Sequence, residues 1–132
     1  MPELSTPAHA IEAIMAISCL LMGISHMLRK QMWEHFFTHL QGLGTTGVVM
    51  RTFSLELWPG LLIVVLHPVW SGPGLVVTLY GWALAGKCTL SMLRPDIGLR
   101  SLGMAQKGGH SFLVAGVALC AIAACATWAL FT

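Results

Sequence analysis

Four apolar stretches, each long enough to cross a lipid bilayer as a helix, constrain this chain more than any other feature. They cover about residues 7–28, 48–67, 74–93 and 111–131, and a helix needs about 20 residues to cross the hydrocarbon core. Only 9% of the 132 residues are charged, against about 25% in an average soluble domain. So few charges cannot cover the exterior of a soluble fold. The sequence therefore predicts an all-α integral membrane protein, with residues 1–132 forming a single four-helix bundle domain.

Positive charge is distributed unevenly among the connections between these stretches. Lys and Arg cluster around the first connection and in the third, at Arg29, Lys30, Arg51, Arg94, Arg100 and Lys107. The N-terminus, the second connection and the C-terminus contain neither residue type. Because cytoplasmic connections are enriched in Lys and Arg, we expect connections one and three in the cytoplasm and both termini outside it. The predicted location is the cell (inner) membrane, as a multi-pass protein.

The first connection has a sequence pattern of its own, over about residues 31–41. Trp33, Phe36, Phe37 and Leu40 fall on one face of a helix, and the polar residues fall on the other. This pattern is typical of a short amphipathic helix that lies in the membrane interface.

Polar residues inside the apolar stretches are the best candidates for a functional site, because each intramembrane charge costs about 2.5–3.5 kcal/mol on insertion scales. The candidates are Glu12, His26, Glu56, Tyr80 and Lys87. Glu56 and Lys87 lie at a similar depth from the cytoplasmic face and are expected to pair, with His26 nearer that face. Glu12 and Tyr80 match in depth from the opposite face, with His67 close by. The polar residues either fix the helix register or include a protonatable glutamate.

The fourth stretch is uncharged and carries Gly116, Cys120 and Ala124 at every fourth position. Such small residues favour tight helix packing, either within the bundle or against another subunit. In the second stretch, Pro59 predicts a kink.

Evidence for a cofactor or for catalysis is weak throughout the chain. His35 and His39 have a usable ligand spacing, but they fall on the polar face of the interfacial segment, so we predict no metal site. The sequence contains no hydrolase, metalloprotease or phosphate-loop motif. A net charge of +2 does not indicate nucleic-acid binding. We therefore expect no enzyme and no cofactor.

Part of the first half of the chain resembles small four-helix membrane proteins of the DoxX-like kind. The similar features are Gly23-Ile24-Ser25-His26 at the end of the first stretch, the Trp/Phe segment after it, and Glu56 followed by Trp58-Pro59-Gly60-Leu61-Leu62. The resemblance implies a four-helix bundle.

The sequence favours one function and leaves two alternatives. The favoured function is a non-enzymatic accessory or structural subunit of a larger membrane complex, whose partners are the lipid bilayer and another membrane protein or a second copy. The first alternative is a proton-coupled or small-solute transporter that works as an oligomer and uses Glu12, Glu56 and Lys87. The second alternative is a haem- or quinone-binding redox protein that uses His26 with Tyr80 or Trp82.

Overall fold

A computed structural model of the chain describes residues 6–100 and 111–132, and these residues are helical apart from short connections. The helices are α1 (Pro7–Leu28), α2 (Lys30–Gly42), α3 (Thr45–Leu66), α4 (Gly74–Leu93) and α5 (Ser111–Leu130). Residues 95–100 are also helical. Within the described part of the chain, four helices are long and apolar enough to cross a membrane, namely α1, α3, α4 and α5, as the sequence predicts. Lys107, which contributed to the predicted topology, lies outside the described residues.

Helix α3 begins at Thr45, a few residues before the predicted second stretch. The two residues between α2 and α3 are Leu43 and Gly44, and Gly44 adopts a positive φ of 65°. Glycine tolerates this left-handed conformation because it has no Cβ, so the chain turns and enters α3 at once. Arg51, which the sequence places near the first connection and within the second stretch, lies inside this helix.

The interior of α3 is irregular. Its first part, Thr45–Arg51, and its last part, Trp58–Leu66, are α-helical, but Thr52–Leu57 between them is π-helical. Pro59 lies just after this segment; a proline has no N–H to donate and its ring crowds the carbonyl four residues earlier. The sequence predicts a kink here, and the distortion that the structure contains is a turn with i→i+5 hydrogen bonding. This turn brings residues five apart onto one face.

Two close helix pairs form the body of the molecule. Helix α1 packs along α5, and their backbones approach at Gly23 and Gly116. A Cβ atom on Gly23 would lie 2.8 Å from the Gly116 carbonyl oxygen, so only glycine fits. Helix α3 packs along α4, where Ile63 fills the space beside Gly81. Helix α4 also packs against α5, which joins the two pairs.

An apolar core lies where the helices meet, near the middle of the molecule. Its buried members are Ile11, Met15, Cys19, Ile63, Val77, Ala123 and Ala126. They come from α1, α3, α4 and α5, so the core ties all four long helices together.

The buried face of α5 differs in direction from the predicted packing face. Gly116 is buried and Cys120 lies beside Gly23 of α1, but Ala124 is exposed. A step of four residues exceeds one helical turn by about 40°, so a series of such steps drifts around the helix. The buried residues instead alternate steps of three and four, through Ala123 and Ala126.

Helix α2 packs across the ends of its neighbours. Leu40 is 1% exposed and packs against Val48 of α3 and Leu99. Phe37 meets Phe112 of α5, with ring centroids 5.3 Å apart. The opposite face, which includes His35, is exposed. The apolar face of α2 is thus used for packing within the chain.

Candidate functional site

The five predicted intramembrane residues are distributed over four places in the structure. Glu56 and Lys87 meet between α3 and α4. Glu12 lies at the other end of the molecule, beside His67. Tyr80 packs against the apolar core, and His26 lies under α2. The polar residues therefore form two clusters that are separate in space.

The first cluster, the charged triad, consists of Arg51, Glu56 and Lys87. Lys87 Nζ lies 3.1 Å from Glu56 Oε2 and 3.3 Å from Oε1, so the pair predicted from depth is present in the structure. Arg51 Nε lies 3.3 Å from Glu56 Oε1. In the sequence, Arg51 is noted only for the positive charge around the first connection, because residues five positions apart do not share a face on a regular α-helix.

Local backbone geometry explains how the charged triad forms. Arg51 and Glu56 are five residues apart, and the intervening π-helical turn places them on the same face of α3. The Arg51 side chain is 2% exposed and that of Glu56 is 16% exposed, whereas Lys87 reaches in from the edge of α4 with 45% exposure. Lys87 is thus less inward than predicted. The buried face of α4 runs instead through Gly81, Cys88 and Ser91.

The triad has more positive than negative charge, because the single carboxylate of Glu56 contacts two basic side chains. Glu56 joins two parts of the chain, the early part of α3 and the later part of α4. If its charge were removed, two positive groups would remain side by side in a largely buried place. The arrangement is therefore suited to holding α3 and α4 in one register.

The second cluster, the Glu12–His67 pair, lies where α1 begins and α3 has just ended. Glu12 is 3% exposed and His67 is 0% exposed. His67 Nε2 lies 3.7 Å from Glu12 Oε1, and His9 Nε2 lies 3.9 Å from the same oxygen. The sequence placed His67 near this depth but matched Glu12 with Tyr80, whereas the residue within reach of Glu12 is His67.

Hydrogen bonds around Thr78 determine which nitrogen of His67 carries a proton. The Thr78 hydroxyl lies 2.6 Å from the Val69 carbonyl oxygen, with the carbonyls of His67 and Gly74 each at 3.2 Å. A hydroxyl has one proton to donate, and carbonyls can only accept. The hydroxyl must therefore accept from His67 Nδ1, which is 2.9 Å away, so Nδ1 carries a hydrogen.

The tautomer of His67 has a consequence for Glu12. When His67 is neutral with its proton on Nδ1, Nε2 presents a lone pair toward the Glu12 carboxyl group. A lone pair and an ionised carboxylate repel each other, and this repulsion is strong in a buried place. One further proton, on either Nε2 or the carboxyl group, removes the repulsion and makes the pair neutral.

His26 belongs to an aromatic cluster at the junction of α1 and α2. Its Nδ1 lies 2.6 Å from the Met22 carbonyl oxygen, and its ring stacks on Trp33 with centroids 4.3 Å apart. Trp33 Nε1 donates to Ser25 Oγ at 2.8 Å, which fixes the indole. Phe112 covers the other side at 5.7 Å. The structure thus places His26 away from the charged triad.

The partners expected for a redox site are dispersed in the described structure. Tyr80 packs on the apolar core, and Trp82 lies near Trp70, with centroids 6.4 Å apart. His26 is brought to neither of them. Among the described residues, no group of three or more His, Cys, Asp or Glu is arranged to hold a metal ion.

Comparison of the chain with protein-family models, with curated proteins and with solved structures finds no match.

Proposed function

We propose that this chain is a multi-pass membrane protein that couples the movement of a small solute to protons and works as an oligomer. One observation carries the proposal: the Glu12–His67 pair is buried within a largely apolar molecule and needs one proton to be neutral. Ionisable residues of this kind in membrane segments commonly serve as proton relays. Four helices leave little room for a pathway within one chain, so the pathway lies between copies.

The proposed arrangement is a four-helix bundle in the cell (inner) membrane, with α2 lying in the cytoplasmic interface. The described basic residues of the connections support this orientation. Arg29, Lys30, Arg94 and Arg100 all lie at the end where α2 packs, and the chain has no Lys or Arg in the connection near Glu12. By the positive-inside rule, the Glu12–His67 pair then faces the outside, together with both termini. A DoxX-like grouping is consistent with this plan.

A proton-flux measurement in reconstituted vesicles tests the function directly. The full chain is incorporated into liposomes that contain a pH-sensitive dye, and a membrane potential is imposed with potassium and valinomycin. We expect proton uptake that saturates, and we expect Glu12→Gln to abolish it, because the amide cannot release a proton. Glu34→Gln, which changes a half-buried carboxylate of α2 that pairs with Lys30 away from the Glu12–His67 pair, is the matched control and should leave the flux unchanged. Flux that is absent, or equal in both variants, would refute the proposal.

A second candidate function, the accessory subunit of a larger membrane complex, is favoured by the outer face of α5. Ala124 and Ala121 are exposed there beside the large side chains Val117 and Trp128. Small residues between large ones let another helix approach closely. Native mass spectrometry after mild extraction distinguishes the candidates. An assembly with other polypeptides supports the subunit function, whereas a homo-oligomer supports the transporter.

A further inference from the structure

A cavity of about 260 Å³ lies beside the Glu12–His67 pair, between the start of α1, the connection before α4 and the end of α5. Its walls are mostly aliphatic, from Ala8, Val69, Pro73 and Ala129, and its polar lining includes His9 and Glu12. Glu12 Oε2 is buried and has no hydrogen-bond partner among the described residues. Buried polar groups are almost always hydrogen-bonded in folded proteins, so this oxygen points to a missing donor.

The chemistry of the cavity restricts what such a donor can be. A carboxylate oxygen accepts hydrogen bonds and favours a positive ligand. The aliphatic walls favour a short hydrocarbon chain. A metal ion would require several oxygen, nitrogen or sulfur ligands, and the described residues provide no such group. A small protonated amine satisfies both requirements.

We propose that this cavity binds a short primary alkylammonium ion in exchange for the proton of the Glu12–His67 pair. The ammonium N–H donates to Glu12 Oε2, and the alkyl chain lies against Val69, Pro73 and Ala129. The pair releases one proton to water as the ammonium ion enters, so total charge is conserved. This inference names a solute class for the proposed transport function, and its role in transport rests on that function.

The groups that face the pair from each element define its pH dependence. Helix α1 contributes His9 and Glu12, and the segment after α3 contributes His67. The facing residues of α4 and α5, which are Gly74, Thr78 and Ala129, have no titratable side chain, and neither does Thr132, which follows α5. Exchange between the proton and the ammonium ion therefore involves one carboxyl group and two imidazoles among the described residues.

Calorimetry on the detergent-solubilised full chain tests the site without any transport. Propylammonium chloride is titrated in two buffers that differ in ionisation enthalpy, which reveals the protons released on binding. We expect saturable binding with about one proton released per ligand. Glu12→Gln should weaken binding by at least about tenfold, because it removes the paired charge. Glu34→Gln should bind as the wild type does.

A cavity-filling variant distinguishes binding of the alkyl chain in the cavity from simple attraction of the cation to the Glu12 charge. Ala129→Leu keeps the Glu12–His67 pair but occupies the space for the alkyl chain, so binding should again fall at least about tenfold. If that variant does not fold, Ala8→Leu fills the rim from α1 instead. Tetramethylammonium, which has no N–H group, should bind more weakly than propylammonium.

Several outcomes would overturn the site. They are no binding by the wild type, equal binding by Glu12→Gln, binding without proton release, and equal binding of tetramethylammonium. Propylammonium binding without proton flux in vesicles would refute the transport function but not the binding site. Proton flux without propylammonium binding would refute the binding site but not the transport function.

Discussion

The charged triad and the Glu12–His67 pair both bury a glutamate between helices, but they differ in how its charge is compensated. Glu56 contacts two basic side chains, with Lys87 Nζ at 3.1 Å and Arg51 Nε at 3.3 Å. Glu12 Oε1 lies 3.7 Å from His67 Nε2, and this nitrogen has no hydrogen-bond partner among the described residues. The carboxylate of the triad thus contacts two basic side chains, whereas Glu12 lies beside imidazoles.

This difference separates a structural from a chemical use of the same residue type. A glutamate surrounded by fixed cations stabilises one helix register and has no reason to exchange its charge. A glutamate opposite a histidine lone pair can exchange a proton with water, and here a cavity adjoins it. The same carboxyl-to-amide substitution should therefore destabilise the protein strongly at Glu56 and only slightly at Glu12.

The largest effect on stability is expected from Glu56→Gln. The amide leaves the Arg51 and Lys87 charges next to each other without their carboxylate. Loss of one partner of a buried ion pair costs about 3–5 kcal/mol, so unfolding in mixed micelles with increasing SDS should occur at a much lower SDS fraction. A loss no larger than that of the half-buried Glu34→Gln would show that the triad does not hold the helices together.

Exchanging the charges of Glu56 and Lys87 tests the role of Arg51, because Arg51 contacts position 56. The double substitution Glu56→Lys with Lys87→Glu places a lysine beside Arg51, so it should restore little stability. Adding Arg51→Gln removes that repulsion and should recover about 1.5–3 kcal/mol, the usual contribution of a hydrogen bond to a charged group. Full recovery by the double substitution alone would mean that Arg51 is not part of the cluster.

Thr78→Val tests the hydrogen bonds that orient His67. Valine has the shape of threonine but cannot accept from His67 Nδ1, and a buried donor left without a partner costs about 1–3 kcal/mol. The proton-dependent binding of propylammonium should weaken as well, since Nε2 no longer has a fixed tautomer. Thr89→Val, at an exposed threonine of the same helix, is the matched control.

Glu12→Gln should change stability at neutral pH by less than about 1 kcal/mol, because the amide resembles the protonated carboxyl group and can donate to His67. Unfolding in mixed micelles with increasing SDS at neutral pH measures this difference. A loss as large as that of Glu56→Gln would contradict the contrast between the two clusters.

The smallest effect is expected at Asp96, outside the long helices. A hydrogen bond from Arg94 lowers the pKa of Asp96 below its ordinary value, and Arg100 adds to the shift. A lowered pKa gives a contribution that is present above the ordinary pKa and is lost as pH falls through the lowered one. The group is fully exposed, so salt screens it. Asp96→Asn should unfold as the wild type does, which makes it a control for both clusters.

The local sequence predicts much of this architecture, because periodicity and hydropathy are local properties. The stripe from Glu12 through Cys19, Gly23 and His26 is buried, as the helical spacing indicates. The Glu56–Lys87 contact followed from depth alone. The predicted packing face divides in the structure, since Gly116 and Cys120 meet α1 whereas Ala124 is exposed, because a repeat of four residues does not follow a helix of 3.6 residues per turn.

Other features depend on contacts that no local pattern specifies. Arg51 joins Glu56 only because the backbone before Pro59 adopts a π-helical turn. His67 lies beside Glu12 because the connection after α3 runs close to the start of α1, whereas depth alone placed His67 nearby but matched Glu12 with Tyr80.

By itself, the sequence determined that the chain is all-helical, that four of its helices can cross a membrane, and which residues are too polar to face lipid. These conclusions follow from hydrophobicity and helical period, which are fixed by composition and order. Only the tertiary structure decided which polar residues meet, because partner choice depends on helix rotation, backbone irregularity and loop path. It is this choice that made Glu56 part of an ionic contact with Arg51 and Lys87 and placed Glu12 beside the buried His67.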